Sequence, residues 1–335
     1  PRSTLFPYTT LFRSGVGRLQ GGKDFGRLGF KTLFWYFFTS IVAILTGLLL
    51  VNLFKPGVDA DLALTTPAGE IAMTSGSLSD NLLRIVPDNM FKALVETDIL
   101  ALIFISMLFG YFITTMSDKS RNMLNNFFEA ANELIMKVTD FIILLSPFGI
   151  FGIVIKIVAS QENLGELVYR LGLYMLVVLI GLFVHSMITL PALLRFVGKV
   201  NPAKHMKAMI TPLLTAFSTS SSNATLPLSM AAMEKNAGVS VKISSFTLPL
   251  GATINMNGTA LYEIVAALFI AQAYSIDLTI GQQLIASFSA LMAAIGAAGI
   301  PMAGMVTIGI VLTAMGLPLE GIGLILAVDR ILDMF

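Results

Sequence analysis

Residues 251–263 read Gly-Ala-Thr-Ile-Asn-Met-Asn-Gly-Thr-Ala-Leu-Tyr-Glu and lie in an apolar stretch long enough to cross a membrane. No Asp, Glu, Lys or Arg occurs from 243 to 262. Two Asn, two Thr and two Gly are costly in lipid unless protein groups satisfy them or they bind something. We therefore expect a membrane helix that is interrupted here, near mid-depth.

The composition of the whole chain supports a membrane protein. Of its 335 residues, 56% are hydrophobic and only 12% are charged, whereas soluble proteins carry about 25% charged residues. Two His and no Cys exclude a His/Cys metal cluster and disulfides. The net charge of +1 gives no reason to expect nucleic acid as a partner. No P-loop, paired-His zinc motif or nucleophile elbow occurs, so an enzyme is not expected.

Four further stretches predict membrane-spanning helices, since about 20 apolar residues cross a bilayer. Residues 32–54, 99–117 and 171–194 are free of Asp, Glu, Lys and Arg. Residues 141–155 would form the buried half of a long tilted helix that begins near 122. Basic and acidic loops alternate between the spans, and the basic segment before residue 32 places the N-terminal part of the chain in the cytoplasm.

Two other apolar segments are broken by small residues and Pro. The first break is Ser-Thr-Ser-Ser-Ser-Asn-Ala-Thr-Leu-Pro at 218–227. The second lies within 278–319, at Gly296, Gly299, Pro301 and Gly304. Paired interruptions of this kind indicate re-entrant helical hairpins around a transporter's binding site. Two Pro-kinked helices are the alternative.

The polar groups of 251–259 form a candidate cation site. Freed backbone carbonyls, Asn oxygens and Thr hydroxyls make an oxygen-only ligand set that suits a hard monovalent cation; polar residues that join helices are the alternative. Glu263 lies four residues after Thr259 and so on the face that we expect to point toward the site. Its carboxyl could carry a proton or make a structural hydrogen bond.

Two carboxylates on the last helix are candidate substrate ligands. Asp329 and Asp333 are spaced i, i+4 and share one face. A substrate ammonium group is one partner for them, and water at a helix end is the alternative. Arg330 points about 100° away from its neighbour, and we expect it to be a poor partner for either carboxylate. His185, in an apolar run, is expected to pack or hydrogen-bond and not to be a ligand.

Both ends of the chain indicate a fragment. Residues 4–14, TLFPYTTLFRS, read like a translated sequencing-adapter oligonucleotide, and we set residues 1–14 aside. Phe335 ends the chain within an apolar helical pattern.

At these motifs the chain resembles the dicarboxylate/amino acid:cation symporters, the family of the glutamate and aspartate transporters. The resemblance covers about 15–335 and is carried by residues 220–227, 251–263, 294–301 and 329–333. It implies an all-α integral membrane protein with the glutamate-transporter-like fold and two re-entrant helical hairpins.

The resemblance also implies a division of the chain. Scaffold helices would be about 79–120 and 121–158. The transport-domain elements would be about 26–54, 163–195, 203–237, 242–274, 280–316 and 321–335. In this scheme 203–237 is the first hairpin, 280–316 the second hairpin and extracellular gate, and 32–54 the third helix. The first two helices and the end of the last would be missing, and with them an arginine and later Asn and Asp residues on which selectivity for acidic side chains rests.

The resemblance also assigns the family's site residues to positions of this sequence. Asp333 matches the aspartate that binds the substrate amino group, and Thr259 a hydroxyl that contacts the substrate side chain. The implied substrate-binding residues are Ser221, Ser222, Thr259, Ile300, Gly304 and Asp333. The implied cation-binding residues are Tyr36, Thr39, Ser40, Gly251, Thr253, Asn255, Met256, Asn257, Ala294, Ile295 and Ala297. Glu263 matches a proton-carrying glutamate. The family usually has Asp where this chain has Asn257, which leaves the number or affinity of coupled sodium ions open.

We expect a secondary-active symporter of acidic amino acids, glutamate or aspartate, driven by sodium, with possible proton co-transport and no cofactor. Its partners would be the substrate, sodium ions, the lipid bilayer and, in the full-length protein, two further copies in a homotrimer. We expect it in the plasma (inner) membrane of a bacterium, crossing it several times. Alternatives are a neutral amino-acid or C4-dicarboxylate carrier of the same family, or a channel.

Overall fold

The computed structural model describes residues 22–58, 89–95, 105, 108–109, 112–113, 115–160, 164–297 and 303–335. In these ranges every regular element is helical, in agreement with the predicted all-α class. The helices are α1 Gly22–Phe54, α2 Met90–Val95, α3 Asp118–Ser160, α4 Leu164–Phe183, a π-helix Val184–Thr189, α5 Leu190–Phe196, α6 Pro202–Ala208, α7 Ile210–Thr219, α8 Ser222–Lys235, α9 Val241–Ile254, α10 Asn257–Ala273, α11 Ile280–Gly296, α12 Ala303–Met315, a 3₁₀ turn Leu319–Gly321 and α13 Ile322–Leu332.

Three stretches among the described residues are long and apolar enough to cross a membrane. They are Arg27–Phe54, Leu164–Phe196 and Val241–Ala273, which contain the predicted spans 32–54, 171–194 and 243–262. The predicted long helix from 122 appears as the continuous helix α3. Most of the predicted span 99–117 lies outside the described residues, as do residues 1–14.

Helix α10 forms the centre of the described structure. Every side chain from Ala260 to Ala271 is buried, because α1, α4, α11 and α12 all pack against it. A helix that is apolar all round can be stable only when it is enclosed in this way. The ring of Tyr174 on α4 stacks on Phe269, with centroids 4.8 Å apart. Gly47 lets α1 approach closely, since a Cβ there would lie 3.0 Å from Ile264 Cγ2.

The predicted interruption of the helix at 251–259 is confirmed. Helix α9 ends at Ile254 and α10 begins at Asn257. The two residues between them have non-helical backbone angles: φ −105° and ψ 60° at Asn255, φ −95° and ψ 67° at Met256. The end of α9 therefore leaves carbonyl groups, and the start of α10 leaves N–H groups, without partners inside their own helices.

The serine-rich break at 218–227 forms the tip of a helical hairpin. Helix α7 ends at Thr219, and Ser220 adopts a left-handed conformation with φ 50°. Ser221 is extended and caps α8 with its hydroxyl, which accepts from the Ala224 N–H at 3.3 Å. Helices α7 and α8 pack on each other. Helices α11 and α12 also pack together, but the predicted tip between them, with Gly299 and Pro301, lies outside the described residues. The re-entrant placement of both hairpins stays a prediction.

Candidate functional site

A cavity of about 420 Å³ opens beside the interruption between α9 and α10. It is bordered by the tip of the α7–α8 hairpin, the start of α10, the π-helix, α12 and the end of α13. Five of the six predicted substrate residues line it together: Ser221, Ser222, Thr259, Gly304 and Asp333. The sixth, Ile300, lies outside the described residues.

Two helix N-termini meet at this cavity. Helix α8 begins at Ser222 and α10 at Asn257, and residues of both first turns line the wall. The first N–H groups of a helix lack intrahelical partners, and the helix dipole adds positive potential at the same end. This edge of the cavity is therefore suited to bind a carboxylate.

Another part of the cavity wall is acidic. Asp329 is only 3% exposed and accepts a hydrogen bond from the Tyr262 hydroxyl at 2.6 Å. Its other carboxyl oxygen is buried and has no hydrogen-bond partner among the described residues. Asp333, four residues later at the C-terminal cap of α13, lines the same cavity, which confirms that the two carboxylates share a face. A cation such as an ammonium group would be attracted to this part of the wall.

Arg330 lies within ion-pair distance of Asp333, but only as the poor partner that the sequence predicted. Arg330 Nη1 lies 3.7 Å from Asp333 Oδ2. The two residues are spaced i, i+3, which places them on neighbouring parts of the helix surface, within reach of a long side chain. The pair is partly exposed, since the Arg330 side chain retains 54% of its accessible surface, so it holds Asp333 only weakly.

Helix α1 brings polar groups to the interruption from the other side. Ser40 donates its hydroxyl proton to Asn257 Oδ1 at 2.7 Å. Thr39 Oγ1 lies 3.2 Å from Asn255 Oδ1. We call these four residues the oxygen cluster. It unites members of the predicted cation site that are more than 200 positions apart in the sequence.

Tyr36 anchors the oxygen cluster to α9. Its hydroxyl donates to the backbone carbonyl of Thr247 at 2.6 Å. Gly251, one turn after Thr247, permits this contact, because a Cβ at 251 would lie 2.8 Å from the Tyr36 oxygen. The predicted cation residues Tyr36 and Gly251 thus touch each other, and the packing at this point has no room for a methyl group.

The remaining predicted cation residues lie at the end of α9, within the interruption and at the end of α11. Met256 lines the cavity, and Thr253 uses its hydroxyl to donate to the Leu250 carbonyl at 3.1 Å. Ala294 and Ile295 are in the last turn of α11, and Ala297 follows in an extended conformation. Helix α11 packs against α9. The backbone contribution of these residues to a cation site stays a prediction.

Glu263 does not line the cavity, although its spacing of four residues from Thr259 predicted that it would. Among the described residues, Tyr262, and not Glu263, lines the cavity. The Tyr262 ring packs on Gly304, where a Cβ would lie 3.2 Å from Cε1, so the tyrosine occupies the face that we assigned to the glutamate. Glu263 is fully buried, and neither of its carboxyl oxygens has a hydrogen-bond partner in the described ranges.

His185 is a cavity residue whose partner could not be found from the sequence. It is 5% exposed, lines the cavity, and its Nε2 lies 3.3 Å from Asn257 Nδ2. The predicted hydrogen-bonding role is therefore confirmed. His185 is the second residue of the π-helix, a rare widened turn that occurs frequently at functional sites. Only Pro191, just after that turn, signals an irregularity in the sequence.

Comparison with known proteins gives a consistent result. The sodium:dicarboxylate symporter family matches the chain over residues 9–335. The chain is 36% identical to excitatory amino acid transporter 3 of Homo sapiens, over 96% of this chain and 71% of that protein. It is 35% identical to excitatory amino acid transporter 1 of Ambystoma tigrinum, over 96% and 68%. It is 34% identical to an excitatory amino acid transporter of Caenorhabditis elegans, over 96% and 72%.

Proposed function

The chain belongs to the sodium:dicarboxylate symporter family, and on that premise we propose that it carries acidic amino acids, glutamate or aspartate, together with sodium. It is a membrane transporter and not an enzyme. The three relatives described above are excitatory amino acid transporters.

The observation that carries the proposal is a cavity with opposite charge preferences at two parts of its wall. The first turns of α8 and α10 attract carboxylates, and the Asp329–Asp333 face attracts an ammonium group. An acidic amino acid carries both kinds of group. In this arrangement Asp333 binds the substrate amino group, the N–H groups near Ser222 bind a carboxylate, and the Thr259 hydroxyl contacts the side chain.

Coupling to sodium follows from residues that belong to both sites. Asn255 and Asn257 line the cavity and also contact Thr39 and Ser40 on α1. A cation that orders the oxygen cluster therefore orders part of the substrate wall, and the substrate in turn favours the cation. Such mutual stabilisation is a coupling free energy and must be reciprocal. Oxygen ligands without His or Cys favour sodium over a soft metal.

The charge of the oxygen cluster bears on the number of ions carried. Asn257 provides an amide oxygen and no formal charge, so we propose a sodium site of lower affinity than a carboxylate would give. We also propose Glu263 as the group that carries a co-transported proton. Its complete burial supports this role, because a carboxyl group that is buried without a cationic partner is far less costly when it is neutral.

We further propose that the full-length protein is a homotrimer in which a transport domain moves against a static scaffold. Its cargo would be the amino acid, sodium and the proton, and it would need no cofactor. Exposed apolar side chains on α1, α3 and α4 support contact with lipid or with other subunits. We place it in the plasma membrane, which for a bacterial protein is the inner membrane.

The test is uptake of labelled aspartate by the full-length protein in proteoliposomes. An inward sodium gradient should drive concentrative uptake, and a choline gradient of equal strength should not. Excess glutamate should compete, whereas serine and succinate should not. Competition by serine or by succinate would instead indicate a neutral amino-acid or a C4-dicarboxylate carrier. Flux that never exceeds equilibrium would indicate a channel and overturn the proposal, as would uptake that persists without a sodium gradient.

A further inference from the structure

We propose that His185 is a positioning residue that orients the side-chain amide of Asn257, so that its oxygen faces the oxygen cluster. The inference rests on the proposed function, because it takes the oxygen cluster to be a sodium site. It assigns a role to a buried side chain that the substrate and ion contacts described above do not use.

The two ends of the Asn257 amide have different partners. Oδ1 accepts from the Ser40 hydroxyl at 2.7 Å, and Nδ2 lies 3.3 Å from His185 Nε2. An amide nitrogen can only donate, so Nε2 must accept, and the ring proton of a neutral His185 must then be on Nδ1. Nδ1 itself is buried without a hydrogen-bond partner among the described residues.

The tautomer of His185 decides which end of the amide faces α1. If Nε2 carried the proton, it would oppose the amide N–H groups, and the amide would have to rotate by half a turn to present its oxygen to the ring. That rotation would direct the amide N–H groups toward Ser40. A cation in the oxygen cluster would then meet the positive end of the amide dipole instead of an oxygen ligand.

The π-helix explains how His185 reaches Asn257. The Leu190 N–H donates to the His185 carbonyl, five residues earlier, instead of to the residue four earlier. Pro191 has no N–H and cannot make the α-helical bond to the Met187 carbonyl, which gives a local cause for the widened turn. The extra residue in this turn changes the direction of the side chains around it, and His185 is directed at the wall of the cavity.

A tryptophan next to Tyr36 permits a direct test of sodium binding. Trp35 is adjacent to Tyr36 on α1 and one turn before Thr39. Purified full-length protein would be titrated with NaCl at constant ionic strength, with choline as the replacement cation. The sodium midpoint would be read from Trp35 fluorescence and independently from the sodium-dependent rise in melting temperature, since a bound ion stabilises the folded state.

Three variants separate positioning from packing. His185→Leu should raise the sodium midpoint by about five- to tenfold, the effect of one hydrogen bond that involves a buried group. His185→Gln should restore most of the affinity, because a glutamine amide can place an acceptor near the position of Nε2. In an Asn257→Ala background, His185→Leu should cause no further shift, because the amide that it orients is gone.

The outcomes distinguish this inference from the proposed function. If the wild type responds to sodium but His185→Leu leaves the midpoint unchanged, or shifts it equally in the Asn257→Ala background, the positioning role is refuted and sodium symport stands. A shift that His185→Gln fails to reverse also refutes it. A wild type without any sodium response would overturn both. In sodium-free buffer, His185→Leu should still unfold in one cooperative thermal transition, which a general loss of structure would not permit.

Discussion

The substitution Gly251→Ala tests the packing on which the oxygen cluster depends. A Cβ at 251 would lie 2.8 Å from the Tyr36 oxygen and 3.2 Å from Cζ, whereas ordinary contacts begin at 3.4 Å. The tyrosine ring must therefore retreat by roughly 0.6 Å. A retreat of this size would stretch the 2.6 Å hydrogen bond from Tyr36 to the Thr247 carbonyl to as much as about 3.2 Å, beyond the usual length of an O–H···O bond.

The expected cost has two parts. Overpacking of a close-packed site costs about 1–3 kcal/mol, and a lost hydrogen bond adds about 1 kcal/mol. Thr39 and Ser40 lie one turn along α1 from Tyr36, so a displaced Tyr36 moves the hydroxyl groups that face Asn255 and Asn257. If about half of this cost, roughly 1–2 kcal/mol, is felt only in the sodium-bound state, the sodium midpoint rises by about five- to thirtyfold, since each 1.4 kcal/mol is a factor of ten.

The assay is the sodium titration by Trp35 fluorescence, with Gly172→Ala as the matched control. A Cβ at 172, on α4, would meet no described atom within 4 Å, so this variant should keep the wild-type midpoint and gain up to about 1 kcal/mol of helix stability. A Gly251→Ala protein that folds and keeps the wild-type midpoint would refute the reasoning. It would mean that the position of Tyr36 does not determine the geometry of the oxygen cluster.

Three further predictions concern the cavity and the packing behind it. Asp333→Asn should raise the half-saturating aspartate concentration in uptake by about tenfold or more, because the substrate ammonium loses a charged acceptor; an unchanged value would remove Asp333 from the substrate site. Tyr262→Phe leaves the buried Asp329 without its hydroxyl donor and should lower stability in thermal unfolding by about 1–3 kcal/mol, and a melting temperature equal to that of the wild type would argue against the bond. Gly321→Ala would place a methyl group 2.5 Å from Ile270 Cγ2; the same assay should show a loss of about 1–3 kcal/mol, and no loss would mean that the 3₁₀ turn is free to move away from α10.

Features that depend on local chemistry could be predicted from the sequence. Polar residues within an apolar span indicated the break at Asn255–Met256. Such residues are unfavourable in lipid unless a break in the helix or a ligand satisfies their hydrogen-bonding groups. A run of small hydroxyl residues followed by Pro227 indicated the turn at Ser220, where a left-handed residue ends one helix and a serine caps the next. In both places the signal and the structure lie within a few residues of each other.

Features that depend on long-range packing could not be predicted in this way. The contact between His185 and Asn257 joins positions 72 residues apart, and it depends on a widened turn that helical periodicity does not reveal. If Thr259 faces the cavity, helical geometry predicts equally well that Tyr262 or Glu263 does so too. The third and fourth residues after a given residue both lie near the same face of a helix. The packing of Tyr262 against Gly304 on another helix decides between them.

The hydrogen bond from Ser40 to Asn257 has a consequence for the speed of the transport cycle. An amide oxygen has two lone pairs, so Asn257 Oδ1 can accept the Ser40 proton and still offer its second lone pair to an ion. Because the only proton of the Ser40 hydroxyl is used in this bond, that oxygen also presents lone pairs and no donor. If the proposed sodium ion binds here, the two side chains need not rearrange, and the ion should therefore enter and leave quickly.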